Sequence, residues 1–192
     1  MDFLRSSSIQ GKVRCHQVID DIWTPCSDFK SNLVLYDWAK ITAKLLTSGD
    51  ANYRIGGMYL EFENTASPGD TVSAPTFDRT RSITYYNSLS GSASRDYLRV
   101  PLTATQLLSA GEGLTDNQII FFARSSGVTG VHGKTFSDSA NSVIFGASLV
   151  AFVDSTDATQ DILLSSFYFS TGDQQQKLAT SQIGIEWELT LQ

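Results

Sequence analysis

The stretch that decides the fold closes the chain: Ile183-Gly184-Ile185-Glu186-Trp187-Glu188-Leu189-Thr190-Leu191-Gln192. Apolar residues alternate with polar or small ones along its whole length. Because successive side chains of a β-strand point to opposite faces, this alternation predicts a strand with one buried face. We expect Trp187 to pack in the core, and Glu186 and Glu188 to lie on the outer surface. If the strand lay at a sheet edge, it would also offer a neighbouring subunit a place to pair.

Length and composition fit a single domain with a conventional core. The chain has 192 residues, of which 41% are hydrophobic. Charged residues make up 18%, below the usual fraction of about 25%. The net charge of −6 weighs against nucleic acid as a partner, because phosphate binding requires clustered Lys and Arg.

Targeting signals and a disulfide framework are not expected. The opening Met1–Ser6 lacks the basic and apolar regions of a secretory signal. No apolar run approaches the roughly 20 residues that span a bilayer, so we predict no membrane partner. We expect a protein made and used in the cytoplasm, or built there into something larger. Cys15 and Cys26 are too few for a disulfide scaffold; reduced thiols are favoured, although two strands that met could let them pair.

The first 30 residues have an irregular pattern, and we predict an N-terminal arm or irregular segment over 1–30. Lys12–Ile19 is compatible with a short strand, and Asp20–Pro25 with a turn-rich link. Exposed Phe3, Leu4 and Trp23 would let an arm dock on a neighbour. The alternative is that the segment folds back on its own sheet.

One helix is predicted near residues 35–47. Residues with helical spacing are Leu35, Trp38, Thr42, Leu45 and Leu46. Gly49 follows where a left-handed C-cap is wanted. We expect the helix to close one end of a sandwich, with Trp38 in the core.

Strand-like segments separated by turn signals fill most of the remaining chain: 53–64, 80–87, 95–103, 117–124, 142–153, 162–170 and 180–192. Residues 80–87 and 95–103 are expected to form a hairpin. The Gly56-Gly57 pair suggests a bulge or a close backbone approach. About eight strands and one short helix predict an all-β fold, a jelly-roll-like β-sandwich that occupies 31–192 as a single domain.

The glycine-rich stretch 127–135 is not a phosphate-binding P-loop. It ends in Gly133-Lys134-Thr135, but Val128 stands where the motif requires its first glycine. The residues that follow do not predict a helix whose N-terminus could meet a phosphate. We expect a flexible loop whose exposed tip is available to a partner.

Metal and catalytic sites are also not predicted. Cys15, His16 and Cys26 offer at most three ligands, and His132 is remote in sequence. The pairs Glu61/Glu63 and Glu186/Glu188 each share one strand face, which is an arrangement a glycosidase could use. Solvent-facing carboxylates explain them more simply, so we predict no catalytic residue, cofactor or metal.

Residue types that are enriched where proteins or sugars dock define a candidate interface. Its members are Phe3, Leu4, Trp23, Tyr85, Tyr86, Tyr97, His132, Glu186 and Glu188. For the tyrosines, an ordinary place within a sheet is the alternative.

Three stretches carry a resemblance: IGGMYLEFEN at 55–64, RDYLRVPL at 95–102 and SQIGIEWEL at 181–189. Together they resemble small virion structural proteins of tailed bacteriophages, particularly short-tailed, podovirus-like ones. The likeness runs from about Tyr36 to the C-terminus, and its motifs are structural rather than catalytic.

The resemblance implies a non-enzymatic part of the virion, assembled in the host cytoplasm as a homo-oligomer. Its partners would be copies of itself and other virion proteins of the tail or capsid. A tail adaptor or tail-fibre-junction protein is favoured, and a capsid cement protein is the competitor. Two other hypotheses stay open: a glycan-binding β-sandwich that uses exposed tyrosines and carboxylates, and a hydrolase that uses Glu61/Glu63 or Glu186/Glu188.

Overall fold

Antiparallel β-strands are the main regular structure of the described residues, and they form a curled sheet accompanied by two helices. The computed structural model describes residues 9–76, 79–108, 117–125 and 127–191. Phe3 and Leu4 lie outside the described residues. The all-β prediction is therefore confirmed in its coarse form.

The described elements follow one another as β1 (Ile9–Ile19), β2 (Ile22–Pro25), β3 (Lys30–Ser31), β4 (Leu33–Val34), α1 (Asp37–Ser48), β5 (Ile55–Asn64), α2 (Ile83–Ser88), β6 (Arg95–Leu108), β7 (Gln118–Arg124), β8 (Ser142–Ala151), β9 (Ile162–Tyr168), β10 (Gln175–Gln176) and β11 (Gln182–Leu191). Short 3-10 turns occur at Ala51–Tyr53, Leu89–Gly91, Asp138–Ala140 and Ala158–Gln160.

The strand order is β2-β1-β11-β7-β6-β5-β8-β9-β4, with β3 added beside β1 and β10 beside β8. The closing strand β11 lies between β1 and β7, so the edge position considered for it is wrong. Trp187 is paired with Val13 on one side and with Phe121 on the other. Trp187 is fully buried, as its alternation predicts.

Strand β6 passes from one half of the curled sheet to the other. Its first half pairs with β5, from Arg95 opposite Glu63 to Pro101 opposite Gly57. Its second half, Leu102–Leu108, pairs with β7 instead, after an irregularity between Leu102 and Ala104. This change of partner leaves the second half with only one strand neighbour among the described residues.

One hydrophobic core collects side chains from both halves of the sheet. Its buried members include Val13, Met58, Phe121, Leu149 and Trp187. Because these residues come from β1, β5, β7, β8 and β11, the core ties strands that are distant in the chain. Their burial from water is the main favourable contribution to the stability of such a fold.

Helix α1 ends as predicted but faces the core differently. Gly49 has φ 61°, and its N–H donates to the Leu45 carbonyl at 3.1 Å. Ile41 is 1% exposed, whereas Leu46 is 80% exposed. The predicted stripe was therefore wrong at Leu46, because the helix turns Ile41 rather than Leu46 toward the sheet.

The predicted strand 80–87 is wrong, since Ile83–Ser88 is the helix α2. Ser82 is in extended conformation, and its hydroxyl accepts a 3.4 Å hydrogen bond from the N–H of Thr84. A serine in this position caps the first turn of a helix. The expected hairpin with 95–103 is consequently a helix followed by β6.

The first described residues belong to the sheet. Asp20 and Asp21, with φ of 50° and 63°, form the two-residue turn between β1 and β2, and positive φ at both positions is the mark of a type I′ hairpin. The turn-rich link is thus a hairpin that places Trp23 opposite Val18. Of the two alternatives for the opening segment, the described part folds back on its own sheet.

The glycine pair in β5 is a bulge with a close backbone approach, as predicted. The register with β8 shifts between Ile55 and Gly57. A side chain at Gly57 would collide with the Phe152 ring and the Val100 carbonyl oxygen. Only glycine fits this position without a movement of the sheet.

Candidate functional site

Two of the three candidate tyrosines lie inside the molecule. Tyr86 of α2 and Tyr97 of β6 are fully buried, and Tyr85 is half-buried. Tyr86 and Tyr97 pack edge to face, with ring centroids 4.9 Å apart. Burial argues against a partner contact for both of them, and the sequence pattern alone could not separate these buried rings from exposed ones.

The tyrosines of α2 surround the carboxylate of Glu61, which is fully buried. Its Oε1 accepts a 2.5 Å hydrogen bond from the hydroxyl of Tyr86. Its Oε2 accepts from Tyr85 at 2.9 Å and from Tyr168 at 3.3 Å. The Arg81 guanidinium lies 3.8 Å from Oε1. We call Glu61, Tyr85, Tyr86, Tyr168 and Arg81 the Glu61 cluster.

The Glu61 cluster corrects the expectation of a solvent-facing carboxylate pair. Burial raises the pKa of Glu61, although the Tyr86 hydrogen bond and Arg81 oppose that shift. Glu63 is only half-buried and binds Arg95 at 2.6 Å. The partners of Glu61 are groups of this chain, so the cluster holds α2 against β5 and β9.

A second buried network continues along the same face. The Tyr59 hydroxyl donates a 2.5 Å hydrogen bond to Asp161, and Arg99 binds both Asp161 oxygens at 2.7 and 2.9 Å. Asp161 is 1% exposed. Asp161 is the last residue of the acidic loop 154–161. Part of the negative charge of this loop is therefore paired with Arg99 inside the protein.

The glycine-rich stretch 127–135 wraps around a carboxylate of its own chain. Asp96 is fully buried and accepts hydrogen bonds from the backbone N–H groups of His132 and Lys134, each at about 3.0 Å. A side chain at Gly130 would collide with Asp96. The backbone donors that would cradle a phosphate in a P-loop are occupied by Asp96. This is a physical reason, absent from the sequence pattern, why the loop is not a nucleotide site.

His132 is half-buried within this loop. Its Nε2 lies 3.0 Å from the Tyr86 carbonyl oxygen, and its ring meets Tyr97 edge to face. The neighbouring Val131 is 41% exposed, which is consistent with an accessible loop tip. An interface role for His132 stays a prediction.

The alternation predicts that Glu186 lies on the outer surface. This prediction is wrong, because the Glu186 residue is only 7% exposed. Its Oε2 accepts a 2.6 Å bond from Arg14, and it lies 2.8 Å from Nε2 of His16. Burial lowers the pKa of His16, while the bond to Glu186 opposes that shift. Glu188 is half-buried on the same face, and its role as an interface residue stays a prediction.

Trp23 covers His16 and forms part of a shallow groove on this face. Its ring meets those of His16 and Phe122 edge to face, at 5.4 and 5.7 Å. The groove has a volume of about 320 Å³ and is also lined by Gln106 and Arg124. An aromatic floor with polar walls is the chemistry that a sugar ring could use.

An accessible apolar surface lies beside the second half of β6. Residues 103–108 are all exposed, with Leu107 at 55% and Leu108 at 42%. A groove of about 540 Å³ separates this strand from α1. Its lining is almost wholly apolar and includes Trp38, Leu45, Leu46, Leu107, Ile119 and Phe121. We call the unpaired side of Leu102–Leu108 the β6 edge, and this cavity the α1 groove.

Among the described residues, no three His, Cys, Asp or Glu side chains come close enough together to hold a metal ion. In the same part of the chain, no helix has the length and apolar character needed to cross a membrane. Comparison with protein-family models, with curated proteins and with solved structures found no match to this chain.

Proposed function

We propose that this chain is a non-enzymatic structural protein of a bacteriophage virion that acts by symmetric assembly. A tail adaptor or tail-fibre-junction protein is the favoured place, and a capsid cement protein is the competing one. Its partners are copies of itself and other virion proteins. The resemblance at 55–64, 95–102 and 181–189 supports the class of protein, and the β6 edge supports the mode of action.

The β6 edge is the observation that carries this proposal. Leu102–Leu108 pairs with β7 on one side and has no strand partner on the other within the described residues. Its sequence, LTATQLL, contains no charge, proline or glycine. Soluble proteins usually protect an edge with such residues, because unpaired N–H and C=O groups recruit another strand. The described part of this edge, which lacks those residues, is therefore suited to pairing.

A second copy of this chain is the occupant that charge favours. The whole chain carries −6, so most surfaces of two copies repel each other, but two neutral LTATQLL strands bring no like charges together. Antiparallel pairing about a two-fold axis at Thr105 would place Leu107 opposite Thr103 of the second copy. Such a self-complementary contact is the usual geometry of a symmetric dimer.

The α1 groove gives the pairing an apolar component. In strand addition the backbone hydrogen bonds supply affinity, and pockets for alternate side chains supply specificity. Leu46, at 80% exposure, and Leu107 stand at this groove and would lose contact with water. We also propose that the curled sheet forms a jelly-roll-like β-sandwich, because both halves of the sheet contribute side chains to the main core.

Sedimentation of purified protein over rising concentration tests the assembly. We expect the wild type to form a dimer or a larger symmetric species. Leu107→Lys should remain monomeric, because a charged lysine on an edge strand disfavours pairing with another strand. Leu178→Lys is the matched control, since Leu178 is 43% exposed and does not line the α1 groove. A wild type that stays monomeric at high concentration, or equal behaviour of both variants, would overturn the β6 interface.

Location in the particle requires its own experiment. Electron microscopy of virions labelled with an antibody to this chain should place the label at the tail end. Label over the capsid lattice would favour a capsid cement protein. If purified virions carried no label, the proposal that this chain is a virion structural protein would be wrong.

The groove at Trp23 favours one second candidate, a glycan-binding module. Its aromatic floor and the polar side chains of Gln106 and Arg124 are the supporting observation. A glycan array probed with wild type and Trp23→Ala tests this function. Glycans that bind the wild type but not Trp23→Ala would support glycan binding at this groove. If no glycan bound the wild type, this second candidate function would be rejected.

A further inference from the structure

Cys15 and Cys26 face each other across the hairpin of β1 and β2. The register pairs His16 with Pro25, so the next opposed pair is Cys15 and Cys26. The N–H of Cys26 donates to the Cys15 carbonyl oxygen at 3.0 Å, and the N–H of Cys15 donates to the Ser27 hydroxyl at 2.9 Å, so one hydrogen bond of the next ladder step is formed. Residues 11 positions apart in the chain are thereby brought into direct opposition.

This opposition has the geometry that a disulfide requires. Opposed residues in a hydrogen-bonded antiparallel pair have Cα atoms about 5.5 Å apart and side chains on the same face. A disulfide joins Cα atoms that are roughly 4.4 to 6.8 Å apart. The Cα separation of an opposed pair therefore falls within the range that a disulfide spans.

The two thiols differ in access and in acidity. Cys15 is fully buried in the main core, whereas Cys26 is exposed. A hydrogen bond from the Cys15 side chain is the main reason that the pKa of Cys26 is lowered, and burial raises the pKa of Cys15. An accessible thiol of lowered pKa beside a protected second thiol is the arrangement of an attacking and a resolving cysteine.

We propose that Cys15 and Cys26 form a thiol–disulfide exchange site whose co-substrate is a low-molecular-weight disulfide. The Cys26 thiol releases its proton to solvent, and the thiolate attacks one sulfur of that disulfide. A mixed disulfide forms on Cys26, and the first small thiolate leaves and is protonated. Cys15 then gives up its proton and attacks the Cys26 sulfur, which expels the second small thiol. The chain loses two electrons and two protons, and the small disulfide is reduced to two thiols.

Oxidised glutathione is the probe for this exchange, followed by intact mass of the folded protein. The wild type should lose the mass of two hydrogens after a transient adduct of one glutathione. Cys15→Ser should keep one glutathione on Cys26, and Cys26→Ser should react much more slowly than either. Since Cys15 is a core residue, the time course of the transient adduct in the wild type supplies the same information if Cys15→Ser does not fold.

Peptide mapping identifies the bond. Trypsin leaves both cysteines in one peptide, because cleavage after Arg14 and Lys30 brackets them. Further cleavage before Asp20 or Asp21 separates the two halves when the thiols are reduced, and leaves them joined when Cys15 and Cys26 are bonded. We also expect the closed form to melt about 5 °C higher, because the bond restricts the unfolded chain.

Three results would overturn the proposal. They are a wild type that keeps glutathione on Cys26 without closing, a disulfide between two chains, and a folded protein that does not react although the unfolded chain does. None of these depends on whether the β6 edge pairs or on the place of the protein in a particle, so the two proposals fail separately.

Discussion

The hydroxyl of Tyr86 donates a 2.5 Å hydrogen bond to Oε1 of Glu61, and both side chains are fully buried. One comes from a short helix and the other from a central strand of the sheet. A buried carboxylate is tolerated only where donors surround it. This contact therefore explains both why Glu61 can lie in the interior and why α2 lies where it does.

Glu61→Ala should lower the free energy of unfolding by about 3–5 kcal/mol, because it leaves three hydroxyls and Arg81 without their shared acceptor. Glu63→Ala is the matched control on the same strand. Glu63 is half-buried and binds Arg95, so its loss should cost no more than about 1 kcal/mol. Urea unfolding followed by tryptophan fluorescence measures both, and equal effects would contradict the central role of Glu61.

His16 should titrate below the ordinary histidine pKa of 6.5, because burial lowers the pKa and Nδ1 has no hydrogen-bond partner in the described structure. As the pH falls, His16 binds its proton at a higher pH in the unfolded state than in the folded state. His16 therefore contributes stability that is present above pH 6.5 and is lost as pH falls toward the lowered pKa.

Nuclear magnetic resonance can follow this titration directly, since His16 and His132 are the two histidines of the chain and His132→Gln assigns the signals. Glu186→Gln should lower the His16 pKa further, because the Glu186 carboxylate favours the charged ring. A His16 pKa at or above 6.5 in the wild type is the contrary result.

Local pattern was sufficient where one residue's neighbours in the chain decide its environment. The alternation around Trp187 predicted a strand with Trp187 in the core, and Gly49 predicted the end of α1. The segment at α2 misled, because isoleucine and paired tyrosines favour strands, and only Ser82 signalled a helix start. Sequence reasoning failed there because packing against the sheet outweighed intrinsic preference.

Features that depend on distant contacts could not be read from the sequence. Glu61 meets Tyr168, which is 107 positions away, and nothing near either residue indicates that contact. The β6 edge arises because one long strand changes partners from β5 to β7. The absence of charge in Leu102–Leu108 can be read from the sequence, but only the order of the strands shows that this segment lies at an edge of the sheet.

Helix α1 offers a test of which side chains anchor it. Ile41→Ala should cost about 2–4 kcal/mol of unfolding free energy, because the side chain is 1% exposed and its removal leaves a cavity. Leu46→Ala should change stability by less than about 0.5 kcal/mol, since Leu46 is 80% exposed. Thermal unfolding compares the two variants, and a larger loss at Leu46 would reverse the orientation of the helix.

Asp96 should hold the glycine-rich loop in place. Asp96→Ala removes the acceptor of the His132 and Lys134 N–H groups and should cost about 1–3 kcal/mol, because these partly buried donors are left unsatisfied. Hydrogen exchange at those two amides should also accelerate more than exchange in β11. Asp138→Ala is the control, since Asp138 is exposed in the turn that follows the loop. If both amides kept their protection in Asp96→Ala, the loop would be held by its glycine turns rather than by the buried carboxylate.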